Sequence, residues 1–293
     1  MNERTNKDKA SFFEYEVFPG ISLVYCASHT QYAQLRETVS KSVFEIFHCR
    51  EGRMECNIGN DYCYISQGDI LIAGSHRISS SVHFPLCHYH GIVIRIDTFL
   101  APKCLSCFLR DVAVQPIAIA DKFCGENDYF IARSNSSFEH IFSELYNVPE
   151  EIRQGYSKIK ILELMLFLSV FDEKSGEAAD RTLSESQVSL AKEVAVYLTD
   201  NMDEKITLEM AAKRFHVSVT NLKNSFKSVY GVPFYAYIKA RKMESAAYML
   251  EYTEKSVIEI ANEHGYDNSS KFASAFRSVK GMAPGEYRAL NKK

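Results

Sequence analysis

The stretch IANEHGYDNSSKFASAFRSVKGMAPGEYR, residues 260–288, decides the fold of the C-terminal third of this 293-residue chain. Phe272 and Phe276 lie four residues apart in a segment that is otherwise small, polar or basic, and Gly281 follows them. Apolar residues at helical spacing, ended by a glycine, predict an amphipathic helix with a glycine at its C-terminus. Gly265, before that helix, suits a tight turn that requires positive φ.

The same pattern occurs about 50 residues earlier in the chain. Ala212, His216 and Val217 recur 49 residues later as Ala261, Gly265 and Tyr266. After one inserted residue, a spacing of 50 relates Leu222, Phe226, Lys227, Gly231 and Tyr237 to Phe272, Phe276, Arg277, Gly281 and Tyr287. Each copy predicts a short helix, a tight turn and a longer helix, which together make a helix-turn-helix unit.

Cap residues and apolar spacing set the expected bounds of these helices. We predict helices over Leu208–Arg214 and residues 218–229 in the first copy, and over Val257–Glu263 and residues 268–279 in the second. Between the copies, Pro233 opens a predicted connecting helix that runs to about Glu251. His216 takes the turn position that Gly265 takes in the second copy, where histidine is tolerated less easily than glycine.

The second helix of each copy exposes small, amide and basic side chains. Lysine and asparagine side chains can form hydrogen bonds with base edges, and serine and threonine hydroxyls can form them with bases or phosphates. Lys227 and Arg277, near the helix ends, are assigned to phosphates. A helical repeat with a packing role only is the alternative, and the presence of only two copies with polar exposed faces speaks against it. The candidate DNA-binding residues are Ser218, Thr220, Asn221, Lys223, Asn224, Lys227, Ser269, Ser270, Lys271, Ser274 and Arg277.

Residues 206–288 resemble the DNA-binding domain of the AraC/XylS family of transcription regulators. The matching positions are Phe272, Phe276, Gly281, Pro284, Tyr287 and Arg288. The chain departs from the family pattern at Lys271, where an aromatic is frequent, and at Ala273 and Ser274, which replace the commoner Ser-Arg. The resemblance implies asymmetric DNA sites, with the two second helices in successive major grooves about 34 Å apart. It also implies a homodimer, RNA polymerase as a partner and, as a tendency, activation of transcription.

Charge is distributed unevenly along the chain. Residues 188–293 carry 16 Lys and Arg against 12 Asp and Glu, whereas residues 1–187 carry 18 against 25. A basic C-terminal segment beside an acidic N-terminal one indicates that the C-terminal segment binds a polyanion.

The first twenty residues lack the apolar core of a signal peptide, and no apolar run reaches membrane-spanning length. A cytoplasmic protein with no membrane partner is therefore expected.

The N-terminal two thirds read as strands followed by helices, which makes the whole chain α+β. Between residues 21 and 96, short apolar segments alternate with turns, the pattern of a β-barrel or sandwich, with hairpin turns expected at Glu51-Gly52 and at residues 67–69. Residues 138–146 and 150–172 read as helices, and the second is apolar enough to require burial, in its own domain or against a second subunit. Residues 173–187 read as a linker. The expected domains are residues 1–172, for effector binding and dimerisation, and 188–293, for DNA binding.

The resemblance implies a cupin-like barrel that holds a small effector, and GDILIAGSHR, residues 68–77, is the most suggestive stretch. The candidate effector-binding residues are His48, His76, Arg77 and Arg95. His88 and His90, on one side of a strand, are weak candidates for a metal site. No carboxylate follows them at the spacing of a cupin metal motif, so no metal and no cofactor is expected.

Three functions compete on this sequence. The first is a ligand-responsive transcription regulator that is not an enzyme; no Ser/His/Asp set, paired carboxylates or glycine-rich phosphate loop argues for catalysis. The second is a metal-dependent cupin enzyme, using His88 and His90, fused to a DNA-binding domain. The third is a redox or metal sensor. All eight cysteines lie within the first 124 residues, and Cys104 and Cys107 form a C-x-x-C pair that is either a thiol sensor, half a metal site or two ordinary thiols.

Overall fold

A computed structural model describes residues 10–35, 40–59, 61–103, 105, 114–125, 129–171 and 182–292. The chain divides into two compact units between Leu183 and Ser184. The first is built on β-sheet and the second is helical, which confirms the α+β class. Cys104 and Cys107 lie outside the described residues.

Among its described residues, the first unit has ten strands and three α-helices. The strands are β1 (Ser11–Phe18), β2 (Ile21–Ser28), β3 (Tyr32–Gln34), β4 (Val43–Ile58), β5 (Asp61–Ser66), β6 (Asp69–Gly74), β7 (Ser81–His83), β8 (Tyr89–Asp97), β9 (Tyr129–Arg133) and β10 (Thr182–Leu183). The helices are α1 (Pro116–Cys124), α2 (Ser136–Tyr146) and α3 (Arg153–Val170), with a 3-10 turn at Glu150–Ile152.

All strand pairings are antiparallel, and they form two sheets that share the long strand β4. The first sheet has the order β1-β2-β8-β4-β6-β9. The second has the order β10-β5-β4-β7-β3. Strand β4 belongs to both because its first half pairs with β8 and β6, and its second half pairs with β5 and β7.

The first sheet is covered on both faces. Ile46, Ile72 and Ile94 belong to an apolar cluster that includes Phe142 and Leu164 from α2 and α3. The intervening residues of the same strands belong to a second cluster, which also contains apolar side chains of the second sheet. Strand β6 is buried along its whole length because both of its faces are covered.

One of the two predicted hairpin turns is correct and the other is wrong. Residues 67 and 68 do turn between β5 and β6, with positive φ at Gly68. Glu51 and Gly52, in contrast, lie inside β4 at a β-bulge, where the pairing passes from Cys49 with Gly91 to Glu51 with His90. Gly52 has φ +84°, and any side chain there would meet the backbone of His88. The glycine therefore permits a close approach of two strands, not a reversal of the chain.

Helix α3 buries one face within its own unit. Ile161, Leu164 and Leu168 pack into the cluster against the first sheet, while Ile159 is 60 % exposed and Val170 is 79 % exposed. Burial under the sheet explains the apolar composition of the inner face. Dimerisation through this helix stays a prediction.

The second unit contains seven helices within the described residues. They are α4 (Glu185–Asp200), α5 (Leu208–Arg214), α6 (Val219–Tyr230), α7 (Phe234–Tyr252), α8 (Val257–Glu263), α9 (Ser269–Lys280) and α10 (Pro284–Asn291). Helix α4 begins inside the segment predicted as linker, because Ser184 and Gln187 form a capping box at its start. Helix α7 contacts α6, α8, α9 and α10, so it joins the two repeats. Over the described part of the chain, no helix has the length and hydropathy needed to cross a membrane.

Candidate nucleic-acid interface

The two helix-turn-helix units have equivalent turns, as the repeat predicts. His216 and Gly265, 49 residues apart, both have positive φ, +55° and +72° respectively. At Gly265 the backbone of a preceding loop comes so close that a Cβ would lie 2.5 Å from the carbonyl oxygen of Asp203. Glycine is therefore required at the second turn by space as well as by backbone conformation.

Side-chain caps fix where the second helix of each unit begins. Ser218 accepts a hydrogen bond from the backbone N–H of Asn221 at 3.1 Å, and Asn268 accepts one from that of Lys271 at 3.0 Å. Each cap satisfies one of the N–H groups that a helix N-terminus leaves without a partner. The helices α6 and α9 end at Gly231 and Gly281 respectively, both in the left-handed conformation.

Helix α6 is anchored by one face and presents the other to solvent. Leu222, Phe226 and Val229 are fully buried. Thr220, Lys223, Asn224 and Lys227 follow the i, i+3, i+4 and i+7 spacing that places side chains in one stripe along a helix. That stripe is exposed, and so are Ser218 and Asn221 beside it.

Helix α9 also buries an apolar face and exposes a polar one, but its exposed side chains are shorter than those of α6. Phe272 and Phe276 are fully buried, and Ser269, Ser270, Lys271, Ser274 and Arg277 are exposed. At a spacing of 50 residues, Ser274 corresponds to Asn224 of α6, and the half-buried Ala273 corresponds to Lys223. Helix α6 therefore carries two long side chains with hydrogen-bonding ends where α9 carries a methyl and a hydroxyl group.

Three of the residues that match the AraC/XylS pattern, Pro284, Tyr287 and Arg288, hold α10 against α7 in the helical unit. Tyr287 donates a hydrogen bond from its hydroxyl to Glu251 Oε1 at 2.6 Å, and burial raises the pKa of this tyrosine to about 12. Arg288 donates to the carbonyl oxygens of Leu250 and Lys255. Pro284 opens α10 at its first turn. These residues fix α10 on the end of α7, so the sequence match that identified the fold reports packing and not base contact.

Lys242, which is not among the residues predicted from the sequence, lies buried on α7 between the two helix-turn-helix units. Its ammonium group donates to the carbonyl oxygen of Glu204, before α5, at 3.0 Å, and to that of His264, after α8, at 2.9 Å. Burial lowers the pKa of Lys242. Because this one side chain ties a loop of each helix-turn-helix unit to the connecting helix α7, Lys242 is a positioning residue for both helix-turn-helix units. A lysine within the apolar stripe of α7 was the available signal.

In the first unit, His48 lies at the base of an open cleft of about 500 Å³. The imidazole is 3 % exposed and stacks on Phe142 with ring centroids 4.1 Å apart. Its Nε2 lies 3.6 Å from Glu139 Oε1 and has no hydrogen-bond partner among the described residues. Burial lowers the pKa of His48, although the Glu139 carboxylate opposes this shift. Arg50, Gln67, Gly68, Arg133, Ser143, Tyr146 and Asn147 also line the cleft.

The other candidate effector residues do not join His48. Arg95 lies on the opposite face of the first sheet, and its guanidinium donates to Glu45, Glu14 and the carbonyl oxygen of Leu35. His76 and Arg77 are exposed after β6, at the end of that strand remote from His48. The four residues thus occupy three places, and the strand register, which the sequence does not reveal, decides this.

Beyond His88 and His90, the first unit brings His29 and Glu51 to the same place. A ligand atom of each of the three histidines lies within 4.8 Å of the others. Glu51 Oε2 lies 3.3 Å from His88 Nε2 and 3.7 Å from His90 Nδ1. Sequence analysis looked for a carboxylate after the histidines, whereas Glu51 precedes them in the chain.

Four of the described cysteines are buried, and burial disfavours a reactive thiolate. Cys26, Cys49, Cys56 and Cys63 are buried. Burial raises the pKa of Cys26 to about 12 and that of Cys63 to about 11. Protonated thiols are poor nucleophiles, so these positions do not favour the redox-sensor alternative.

Known proteins resemble the helical unit. A family model described as a helix-turn-helix domain matches residues 211–290. Over 99 residues the chain is 37 % identical to the HTH-type transcriptional regulator YdiP of Escherichia coli K12, a match that covers 34 % of this chain and 33 % of that regulator. The HTH-type transcriptional activator AarP of Providencia stuartii is 29 % identical over 108 residues, 37 % of this chain and 80 % of AarP.

Among solved structures, the C-terminal domain of AraT, a response regulator from Geobacillus stearothermophilus, is 30 % identical. The alignment covers 36 % of this chain and 87 % of that domain, with a TM-score of 0.35. The chain thus spans about a third of the length of YdiP. Together with the paired helix-turn-helix units, the family model and the sequence relatives show that residues 211–290 form a helix-turn-helix domain of the AraC type, similar to that of DNA-binding transcription regulators.

Proposed function

We propose that this regulator reads asymmetric promoter sites with α6 and α9 in successive major grooves, and that a small polar effector bound to the first unit controls this activity. The observation that carries the proposal is the pair of repeats, each with a buried apolar face and an exposed polar stripe on its second helix. An α-helix fits the major groove, where amide and ammonium groups can distinguish base pairs.

The two helices contribute unequally in this proposal. Lys223 and Asn224 give α6 the side chains that pair with guanine and adenine edges, so α6 supplies most of the sequence discrimination. Helix α9 binds mainly through Lys271 and Arg277, which suit phosphates. The half-site read by α6 is then the better defined of the two.

The cleft at His48 is the proposed effector site. It has the volume of a small-molecule site and contains a buried imidazole whose Nε2 lacks a hydrogen-bond partner among the described residues. Arg50 and Arg133 line the same cleft and can pair with a carboxylate, so we propose a small organic anion as effector. Effector binding shifts an equilibrium between states that differ in affinity for DNA.

Activation of transcription, contact with RNA polymerase and dimerisation complete the proposal. The name of AarP as an activator supports the first of these. The exposed apolar residues on the outer side of α3, Ile159 and Val170, are the proposed dimer contact. The equilibrium mass of the full-length protein, compared with that of Ile159→Asp, tests the contact.

Selection of genomic fragments by the full-length protein tests DNA reading. We expect enriched sites with two half-elements about 34 Å, one helical turn, apart. Asn224→Ala and Lys223→Ala should each weaken specific binding by about 1 to 3 kcal/mol and change the preferred base. Lys227→Ala should weaken binding to all sequences and lower the salt slope by about 1. Lys41→Ala, an exposed lysine of the first unit, is the charge control. Equal losses on specific and random DNA for Asn224→Ala and Lys223→Ala would contradict base reading by α6.

The effector site has a separate test. A panel of small mono- and dicarboxylates is screened for an increase in the unfolding temperature of the full-length protein. A compound that stabilises the wild type and His140→Gln, but not Arg133→Gln or His48→Gln, supports the cleft at His48. Equal stabilisation of all four proteins places the ligand elsewhere.

A further inference from the structure

Three neighbouring strands bring four metal-ligating side chains to one end of the first sheet. In that sheet β8 lies between β2 and β4, and His90 pairs with Ala27 on one side and with Glu51 on the other. His88 precedes β8 by one residue, and His29 directly follows β2. Strand order alone therefore makes neighbours of His29 and His88, which are 59 residues apart in the chain.

The four side chains also share a face. Alternation along β8 places His88 and His90 on the side of Ile92, the side that α2 and α3 cover further along the strand. The same alternation places His29 on the side of Leu23. The group is thus on the outer face of the first sheet and not in the space between the two sheets.

The β-bulge in β4 is what adds the carboxylate. His48 is on the outer face, and simple alternation would place Arg50, not Glu51, on that face. One extra residue between Cys49 and Glu51 changes the alternation, so that Glu51 stands beside His90. Bulges commonly redirect a side chain in this way next to functional sites. Gly52 allows this bulge because it accepts φ +84° against the backbone of His88.

One ring nitrogen from each of the three histidines lies within 4.8 Å of the others, which is close enough for a single ion after side-chain rotation, and Glu51 faces the nitrogen of His88 opposite to the one that faces His29. His88 Nδ1 lies 3.4 Å from His29 Nδ1, and Glu51 Oε2 lies 3.3 Å from His88 Nε2 and 3.7 Å from His90 Nδ1. Ligands bound to tetrahedral Zn²⁺ at about 2.0 to 2.1 Å are separated by roughly 3.3 Å. The side chains of His88, His90 and Glu51 are 39 %, 34 % and 46 % exposed, which leaves the group open to an ion from solvent.

We propose that His29, His88 and His90 bind a divalent transition-metal ion of the zinc type, with Glu51 as the neighbouring carboxylate that orients His88 and His90. Three imidazoles with an open fourth position are a ligand set that Zn²⁺ accepts, and nitrogen ligands do not suit Mg²⁺ or Ca²⁺, which bind oxygen. Arg50 Nε lies 3.7 Å from Glu51 Oε1 and competes for the carboxylate, although its other oxygen faces the histidines. This inference goes beyond the proposed function, because neither DNA reading nor the cleft at His48 requires a metal.

The test uses the reduced, full-length protein after treatment with a chelator. Zn²⁺ is titrated by calorimetry, and Co²⁺ is added separately because its visible absorption reports coordination geometry. We expect one Zn²⁺ per chain and the intense visible bands of tetrahedral Co²⁺ without a sulfur-to-metal charge-transfer band. His88→Ala and His90→Ala should each weaken Zn²⁺ binding by about 100-fold, and Glu51→Gln by about 10-fold.

His140→Ala is the matched control, since His140 is an exposed histidine on α2. It should leave the affinity for Zn²⁺ unchanged. Far-ultraviolet circular dichroism of each variant shows whether the fold is retained, and Glu51→Gln, a near-isosteric change, keeps the test valid if an alanine variant does not fold.

Two results would overturn the proposal. One is the absence of stoichiometric Zn²⁺ binding to the wild-type protein, which would make the group a solvated histidine cluster held by Glu51. The other is Zn²⁺ binding that the three variants leave intact, or a cobalt spectrum with thiolate bands, which would place the metal on cysteines. DNA binding is measured on separate samples, so loss of DNA reading and loss of the metal site are distinguishable.

Discussion

The turn of the second helix-turn-helix unit gives the sharpest test of the structure. We expect Gly265→Ala to destabilise the helical unit, whereas His216→Gly, at the equivalent turn of the first unit, should have little effect. Both positions have positive φ, but only Gly265 lies against the carbonyl oxygen of Asp203. The pair therefore separates the cost of the backbone conformation from the cost of the close contact.

The magnitude follows from three contributions. The left-handed conformation costs a residue with a Cβ atom about 1 to 2 kcal/mol. A Cβ atom 2.5 Å from the Asp203 oxygen adds a contact that only a backbone shift can relieve. Alanine recovers about 0.4 to 1 kcal/mol by restricting the unfolded chain. We expect a net loss of about 1 to 3 kcal/mol for Gly265→Ala. At His216, relief of the left-handed strain and the added freedom of glycine in the unfolded chain roughly cancel.

Urea unfolding of the full-length proteins, followed by circular dichroism at the helical minimum, measures the free energies. Binding to a selected DNA site and to the same site with the α9 half-element scrambled measures the functional consequence. Gly265→Ala should lose the preference for the intact site, because α9 is no longer held correctly against α8. A change below about 0.5 kcal/mol in Gly265→Ala, or an equal change in His216→Gly, would refute the close-contact explanation.

Three further predictions concern the side chains that hold the helical unit. His264 is buried and donates from Nδ1 to the carbonyl oxygen of Ile260 at 2.7 Å, and burial lowers its pKa, so the unfolded chain binds a proton more readily. Its contribution to stability is therefore present above about pH 6.5 and is lost as the pH falls toward the folded pKa, and His264→Asn should flatten this dependence between pH 7.5 and 5.5 in urea unfolding. Lys242→Met should lower the free energy of unfolding by about 1 to 3 kcal/mol, because the carbonyl oxygens of Glu204 and His264 lose their donor. Amide hydrogen exchange should then rise in the loops of both helix-turn-helix units. A rise confined to one loop would contradict the joint role of Lys242. Tyr287→Phe should cost about 1.5 to 3 kcal/mol by removing the bond to Glu251, with Tyr248→Phe, an exposed tyrosine of the same unit, as the control in thermal unfolding.

The two helix-turn-helix units and the helix that connects them could be predicted from the sequence almost residue by residue, whereas α4 and α10 were not predicted. Its signals are local: caps such as Ser218, apolar spacing such as Phe272 with Phe276, and glycines such as Gly281 all act within a few residues along the chain. The repeat shows each of these signals twice, so the turn at Gly265 supports the prediction of the equivalent turn at His216. The candidate DNA-binding residues are exposed because the helix period alone separates them from the buried face.

The first unit was less predictable because its site residues are brought together by strand order. Glu51 and Gly52 resemble a hairpin turn in the sequence, and they form a bulge because β8 pairs alongside β4 at that point. The same pairing brings Glu51 to His90, and the placement of β2 adds His29. No periodicity within one segment contains this information.

The sequence by itself determined the two helix-turn-helix units and the residues that α6 and α9 expose, because helices are fixed by interactions between near neighbours in the chain. Only the tertiary structure decided that His48 meets Arg50 and Glu139 in a cleft, that Arg95 is held by Glu45 and Glu14 instead, and that three histidines converge with Glu51 beside two of them. The physical reason is register: a shift of one residue in a strand moves every side chain to the other face, and register depends on partners far away in the sequence.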